Sequence, residues 1–174
     1  MSEIKPFIKW VGGKTQIIDI LIKNIPKKIN NYHEIFLGGG SVLLTILNLQ
    51  KKKLIKIENK IYAYDINEIL IHLYKNIQNK YEELHKYLIN YFNVYDGLDG
   101  KIINRNPKNI EEAKSSKESY YYYCRKIFND FEDKSNIENS ALFIFLNKIC
   151  FRGLYREGPK GFNVPYGHYK KTPN

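Results

Sequence analysis

The sequence of 174 residues predicts an α/β fold, with a strand–loop–helix unit first and a mostly helical region after it. Three observations predict this. The short apolar stretch "YHEIFL" (32–37) runs into Gly38-Gly39-Gly40 and then into the helical spacing of "SVLLTILNLQ" from Ser41. A second β-type stretch, "KLIKIENKIYAYD" (53–65), closes on an acid, Asp65. After about residue 80 the apolar residues recur at helical spacing.

Taken in order, residues 1–14 read as an extended arm ending in a glycine turn, and "TQIIDILIKNI" (15–25) as a helix that Pro26 ends. Strand 32–37, the glycine turn, the helix from Ser41, at least one strand within 53–65 and a helix over 67–78 make a strand–glycine turn–helix–strand–acid order, a Rossmann-like start. Helices follow at 81–92, 118–131 and 139–151, the last strongly apolar and too short to span a membrane. The polar stretch 94–118 reads as loop. From Arg152 the chain reads as a hairpin, with "REGPKG" supplying the turn between two aromatic-bearing arms. No internal repeat is visible.

Composition is that of a globular protein, 43% hydrophobic and 26% charged, and the formal net charge of +10 favours a polyanionic partner. No apolar run is long enough to cross a bilayer, and the N-terminus has no signal-peptide core. Cys124 and Cys150 lie far apart without CxxC or His pairing, so they read as free core thiols in a reducing compartment, not as metal ligands or a disulfide.

In "IFLGGGSVLL" (35–44) the strand delivers glycines to a helix start, which lets the backbone approach a ligand and exposes helix N–H groups to an anion. Asp65, one strand later, stands where such folds hydrogen-bond ribose hydroxyls. The pattern Phe36-x-Gly38-x-Gly40 favours a methyl-donor nucleoside over a dinucleotide. "GGKT" (12–15) is not a P-loop, because the motif needs a glycine where Ile8 stands. Across 148–171, Lys148, Arg152, Arg156, Lys160, Lys170 and Lys171 outweigh the single acid Glu157, and Phe151, Tyr155, Phe162, Tyr166 and Tyr169 are interleaved with them. Cations neutralise phosphates, an arginine fork can take guanine O6 and N7, and a ring can fill the gap left by an unstacked base. The bland alternative is a solvated basic face with aromatic rings packed beneath it.

"PFIKWVGGKTQI", "IFLGGGSV", "AYDINEILIHLYKNIQ", "FLNKICFRGLYR" and "GFNVPYGHYKK" occur in the order in which the D12-class (Dam-like) DNA adenine-N6 methyltransferases carry similar strings, and the resemblance runs over almost the whole chain. It implies a partial Rossmann-like methyltransferase fold interrupted by a mostly α-helical target-recognition insertion with a hairpin. Residues 1–78 would belong to the donor-binding domain and 79–174 to the recognition subdomain. It further implies S-adenosyl-L-methionine as cofactor, double-stranded DNA as partner, adenine N6 as methyl acceptor, an intracellular location where DNA is accessible, and a place in restriction–modification. Carried over residue by residue, Trp10, Lys14, Phe36, Gly38, Gly39, Gly40 and Asp65 would bind the donor. Lys9, Phe151, Arg152, Arg156, Lys160, Pro165 and Lys170 would contact DNA, with Phe151 intercalating and Arg156 reading a guanine. Arg152 and Tyr155 replace the Asn and Cys of Dam itself, which leaves the target sequence open.

The family's catalytic Asp-Pro-Pro-Tyr is absent, since the chain has no Pro-Pro pair. "NVPY" (163–166) is the nearest string, offering Asn163 and Tyr166, but no hydrophobic strand leads into it and "FNVPYGHYKK" itself matches the family's hairpin. The expectation is a methyltransferase portion that is inactive alone, completed by a further segment or by a second polypeptide. The rivals are a non-catalytic DNA-binding remnant and a small-nucleotide enzyme that uses the glycine loop without DNA.

Overall fold

The computed structural model describes residues 5–172. The chain divides into two compact units, Met1–Ile71 and His72–Asn174. The division falls near the start of a long helix, α3 (Glu68–Asp96), which also contains the boundary expected after residue 78.

In the first unit a 3-10 turn (Thr15–Ile17) leads into α1 (Ile18–Lys23). Then come β1 (Lys28–Ile29), β2 (Tyr32–Glu34), α2 (Ser41–Lys51), β3 (Lys56–Ile57) and β4 (Ile61–Ala63). β1 pairs in parallel with β3, and β2 with β4 in the register Tyr32↔Ile61 to Glu34↔Ala63. Parallel strands need a crossover, and α2 supplies it. Its apolar face, Val42, Ile46 and Leu49, packs with Ile29, Tyr32, Ile57 and Ile61 of the strands. On the alternate strand positions the exposed rings of His33, Tyr62 and Tyr64 stack, His33 lying 4.7 Å from Tyr62 and 6.1 Å from Tyr64 between centroids. The expected strand 32–37 ends at Glu34, and 53–65 yields two short strands. Two further backbone bonds, Tyr64 N–H to Glu34 O and Leu37 N–H to Tyr64 O, both at 2.8 Å, carry β2 toward the turn that Gly38 makes at φ +49°.

In the second unit α3 joins the two helices expected at 67–78 and 81–92, with Lys80 the one non-helical residue between them. Three helices follow: α4 (Ile110–Ala113), α5 (Lys117–Asp130) and α6 (Ile137–Ile149). The side chains of Asn109, Ser116 and Asn136 cap them by accepting backbone N–H bonds from their first turns. α6 is buried almost all round, which is why its sequence reads as apolar rather than amphipathic. Its Phe145 is ringed by Phe92, Tyr95, Tyr91 and Tyr120, with centroids 5.2, 5.6, 5.9 and 6.0 Å away. The chain leaves α6 through a 3-10 turn (Phe151–Gly153) and makes the expected hairpin, β5 (Glu157–Gly158) against β6 (Gly161–Phe162).

Among the described residues there are thus six α-helices and three two-stranded sheets, a mixed α/β architecture. Among them, too, no helix is long and apolar enough to cross a membrane, and no group of three His, Cys, Asp or Glu could hold a metal ion. Cys124 and Cys150 are buried, and burial pushes the Cys124 thiol up.

Candidate functional sites

The carboxyl ends of β2 and β4 open onto a pocket of about 240 Å³ in the first unit. Parallel strands place ligands at this end, where loops rather than ladder partners receive the backbone. Trp10, Lys14, Phe36, Gly38, Gly39 and Asp65 all line it. Gly40 does not, but it is the N-cap of α2 in the left-handed region, φ 72°, and so sets the angle at which the helix leaves the loop.

The glycines are explained by Trp10. A Cβ on Gly38 would lie 2.9 Å from Trp10 Cδ1, and one on Gly39 3.1 Å from Trp10 Cβ. The indole therefore seats directly on bare backbone. Asp65 holds the same loop from the other side. Its Oδ2 accepts the Gly38 N–H at 2.8 Å and its Oδ1 the Asn67 N–H at 2.9 Å. Asn67 in turn accepts the Leu70 N–H at 3.1 Å and caps α3. Lys14 folds its ammonium onto Gly12 O at 2.6 Å and donates its backbone N–H to Ser41 Oγ at 3.1 Å, which stitches the glycine turn of residues 12–13 to the start of α2. Phe36 is 85% exposed at the rim.

Sequence reasoning missed the polar lining residues Glu34 and Ser41, and Asn67, which bonds to Asp65 behind the pocket. Glu34 lines the pocket half-buried, its carboxyl pushed up by burial and drawn back by the Tyr32 hydroxyl that donates to it and by the nearby Lys14 charge. The signals were present, since Tyr32-x-Glu34 puts both side chains on one face of a strand, and Asp65-x-Asn67 before an apolar helix is a capping pattern.

The second candidate site is the segment 150–170 of the second unit. It is pinned to the helices at several points. Asn129 of α5 both donates to Phe162 O at 3.0 Å and accepts the Phe162 N–H at 2.8 Å, standing in for a neighbouring strand. The Tyr121 hydroxyl donates to Val164 O at 2.7 Å, and the Phe151 N–H to Pro165 O at 2.8 Å. Phe151, Arg152, Arg156, Lys160, Pro165 and Lys170 are all exposed on this framework. Arg152 sits at φ 57°, its guanidinium 5.1 Å from the Phe151 ring centroid. Arg156 Nε donates to Asn163 Oδ1 at 2.7 Å. Lys160, at the hairpin tip, also borders a cleft of about 210 Å³ with Arg125 and Lys126 of α5. Lys9 is exposed in the first unit.

Asn163 and Tyr166 are not brought together as a reacting pair. The Asn163 carbonyl is held by Arg156, whereas Tyr166 is buried with its hydroxyl 2.7 Å from that of Tyr95.

The profile of the D12 class N6 adenine-specific DNA methyltransferases matches residues 10–174, and the chain belongs to that family. It is 38% identical over 97% of its length to the type II methyltransferase M.MjaIII of Methanocaldococcus jannaschii, of which it covers 54%. It is 34% identical over 95% of its length to a DNA adenine methylase of Haemophilus influenzae, covering 48%, and 30% identical over 98% to that of Escherichia coli K12, covering 50%. The chain spans about half the length of these relatives. In each of them the matched part belongs to one longer chain, so the expected second polypeptide gains no support.

Proposed function

We propose that this chain supplies the donor pocket and the target-recognition surface of an S-adenosylmethionine-dependent adenine-N6 DNA methyltransferase. The first unit is read as part of a Rossmann-like domain and the helices with their hairpin as the recognition insertion. The single observation that carries the proposal is the pocket at the ends of β2 and β4, where an indole, a glycine loop and a doubly engaged acid converge. The residues fit such a donor: bare backbone at Gly38 and Gly39 lets the Trp10 indole pack against the loop beside the pocket, Phe36 offers an exposed ring, Asp65 keeps lone pairs for hydroxyls, and Lys14 offers a cation for a carboxylate. The bound donor supplies an electrophilic methyl group on a sulfonium.

The hairpin suits duplex DNA. With Nε engaged by Asn163 Oδ1 and Nη2 reaching Asn163 O at 3.5 Å, the Arg156 fork keeps the N–H groups of its outer edge for an acceptor such as a guanine edge. Phe151 and Arg152 project beside it on backbone held by Pro165, so an inserted ring would rest on a fixed platform. Asn163 and Tyr166 serve the platform rather than the chemistry in this reading.

Two binding measurements test it on the chain of 174 residues. The first is titration with S-adenosylhomocysteine, followed by the fluorescence of Trp10, the sole tryptophan. Saturable change is expected, and its absence at millimolar ligand would sink the pocket assignment. The second is duplex DNA binding over a salt series, where a steep loss of affinity is expected and a flat response would reject the recognition surface.

A further inference from the structure

The donor pocket opens at the carboxyl ends of the strands, and their amino ends carry a different feature. The backbone bonds Lys56 N–H to Lys27 O, Glu58 N–H to Ile29 O and Tyr32 N–H to Lys60 O join the two short parallel pairs into one ladder. At its amino end lies a groove of about 470 Å³, lined by Lys27, Gln50, Lys53, Leu54, Ile55 and Lys56. None of these lining residues is an acid. The strings "PKKI" (26–29) and "QKKKLIK" (50–56) supply the cations, and every lysine in them is exposed.

Two of these lysines have a structural reason. Lys51 stands in the last turn of α2 and Lys52 is its C-cap, where cations meet the negative end of the helix dipole. Lys53 has no such reason. It follows the cap at φ 59°, in the left-handed region, with its N–H bonded to Gln50 O and the next one, of Leu54, to Leu49 O. Glycine is the unstrained residue at that step of a helix stop. Across the ladder Lys28 faces Lys56, and both ammoniums share the Glu58 carboxylate, at 3.2 and 3.4 Å. Like charges facing each other repel, and an anion in the groove relieves them. Resting on the reading of DNA as partner, we propose that this groove is a second, sequence-independent seat for duplex DNA, in which Lys27, Lys53 and Lys56 meet the phosphates of one backbone strand. Lysine is a point charge without a fixed fork, so it neutralises phosphates and reads no base. A concave groove fits the ridge of a backbone strand better than it fits a flat anionic membrane. The seat adds affinity for any duplex and leaves discrimination to the hairpin.

The test is binding of random-sequence duplex DNA by the full chain over a salt series. Replacing Lys27, Lys53 and Lys56 together by glutamine is expected to lower the slope of log affinity against log salt by about two to three, close to one per phosphate contact, for every sequence alike. The same change at Lys75, Lys80 and Lys86 of α3 removes equal charge from other exposed positions and should leave the slope nearly unchanged. Lys53→Gly separates the seat from a role in the fold alone: the urea midpoint should hold or rise as strain is relieved, while the slope falls by about one. An unchanged slope in the triple variant, or an equal fall in the α3 variant, overturns the proposal. So does a triple variant that keeps DNA binding and loses only binding to phosphatidylserine vesicles. If the unaltered chain binds no duplex, the reading of DNA as partner fails and this inference with it; if it binds and the triple variant matches it, only this seat falls.

Discussion

Replacing Gly38 by alanine isolates the contact on which the pocket depends. Two costs arise in the structure. Gly38 has φ +49°, and an L-residue in that region costs roughly 1–2 kcal/mol. The new Cβ would also lie 2.9 Å from Trp10 Cδ1, inside van der Waals contact, and overpacking of this kind costs roughly 1–3 kcal/mol. Together they predict a loss of about 2–5 kcal/mol, a large share of the stability on the order of 5–15 kcal/mol that a domain has. Gly12→Ala is the matched control. Gly12 has φ +78° but a Cβ there would meet no atom within 4 Å, so only the backbone cost of about 1–2 kcal/mol applies. Urea unfolding followed by Trp10 fluorescence measures both, and donor titration should show Gly38→Ala losing far more affinity than Gly12→Ala. Equal losses in the two variants would refute the claim that the indole packs on this glycine.

The other substitutions act on separate parts of the molecule. Asp65→Asn should cost about 1–2 kcal/mol in the same unfolding assay, because a carboxamide can accept from only one of the Gly38 and Asn67 N–H groups and turns an NH2 toward the other; unchanged stability would mean the carboxylate is not holding the loop. Arg156→Ala should relax preference at one base pair by about 1–3 kcal/mol in competition binding, whereas Lys170→Ala should weaken all duplexes alike and lower the salt slope by about one. Uniform loss from both would reduce Arg156 to a phosphate contact. Incubation of the chain with labelled S-adenosylmethionine and duplex DNA should give no methyl transfer, since the residues nearest to the family tetrapeptide, Asn163 and Tyr166, are engaged with Arg156 and Tyr95. Transfer to adenine would return both to the catalytic role.

The order of elements was readable because each is announced by a strong local signal. Pro26 follows α1, the glycine triplet separates β2 from α2, and "GPK" turns the hairpin. The helical periods of 67–78 and 81–92 are found as two helical stretches that meet at a kink at the non-helical Lys80. The strands fared less well. Apolar runs of five or six residues overstate the ladders, because Ile35 and Phe36 are apolar yet exposed, in a stretch already turning toward the loop.

The site divides along the same line between pattern and geometry. Gly38 and Asp65 could be named from the sequence because backbone approach demands glycine and because an acid after a strand is a spacing, visible in one dimension, whereas Trp10 was named only through the family resemblance. The jobs these residues do were hidden. Asp65 was expected to serve a ribose, and its two oxygens are found accepting backbone N–H bonds from a loop 27 residues earlier and from the start of α3. A carboxylate used in this way fixes the loop before any ligand arrives, so its removal is a loss of preorganisation as well as of the proposed ligand contact. Arg156 shows the same principle on the hairpin. Its side chain was readable as a base reader, but the Asn163 carbonyl seven residues on fixes which edge of the guanidinium faces outward. In the proposed reading of the hairpin, Asn163 acts on target choice through Arg156 without touching a base. Removing its carboxamide should leave Arg156 charged but free to rotate, so that affinity for DNA persists while discrimination at one base pair falls.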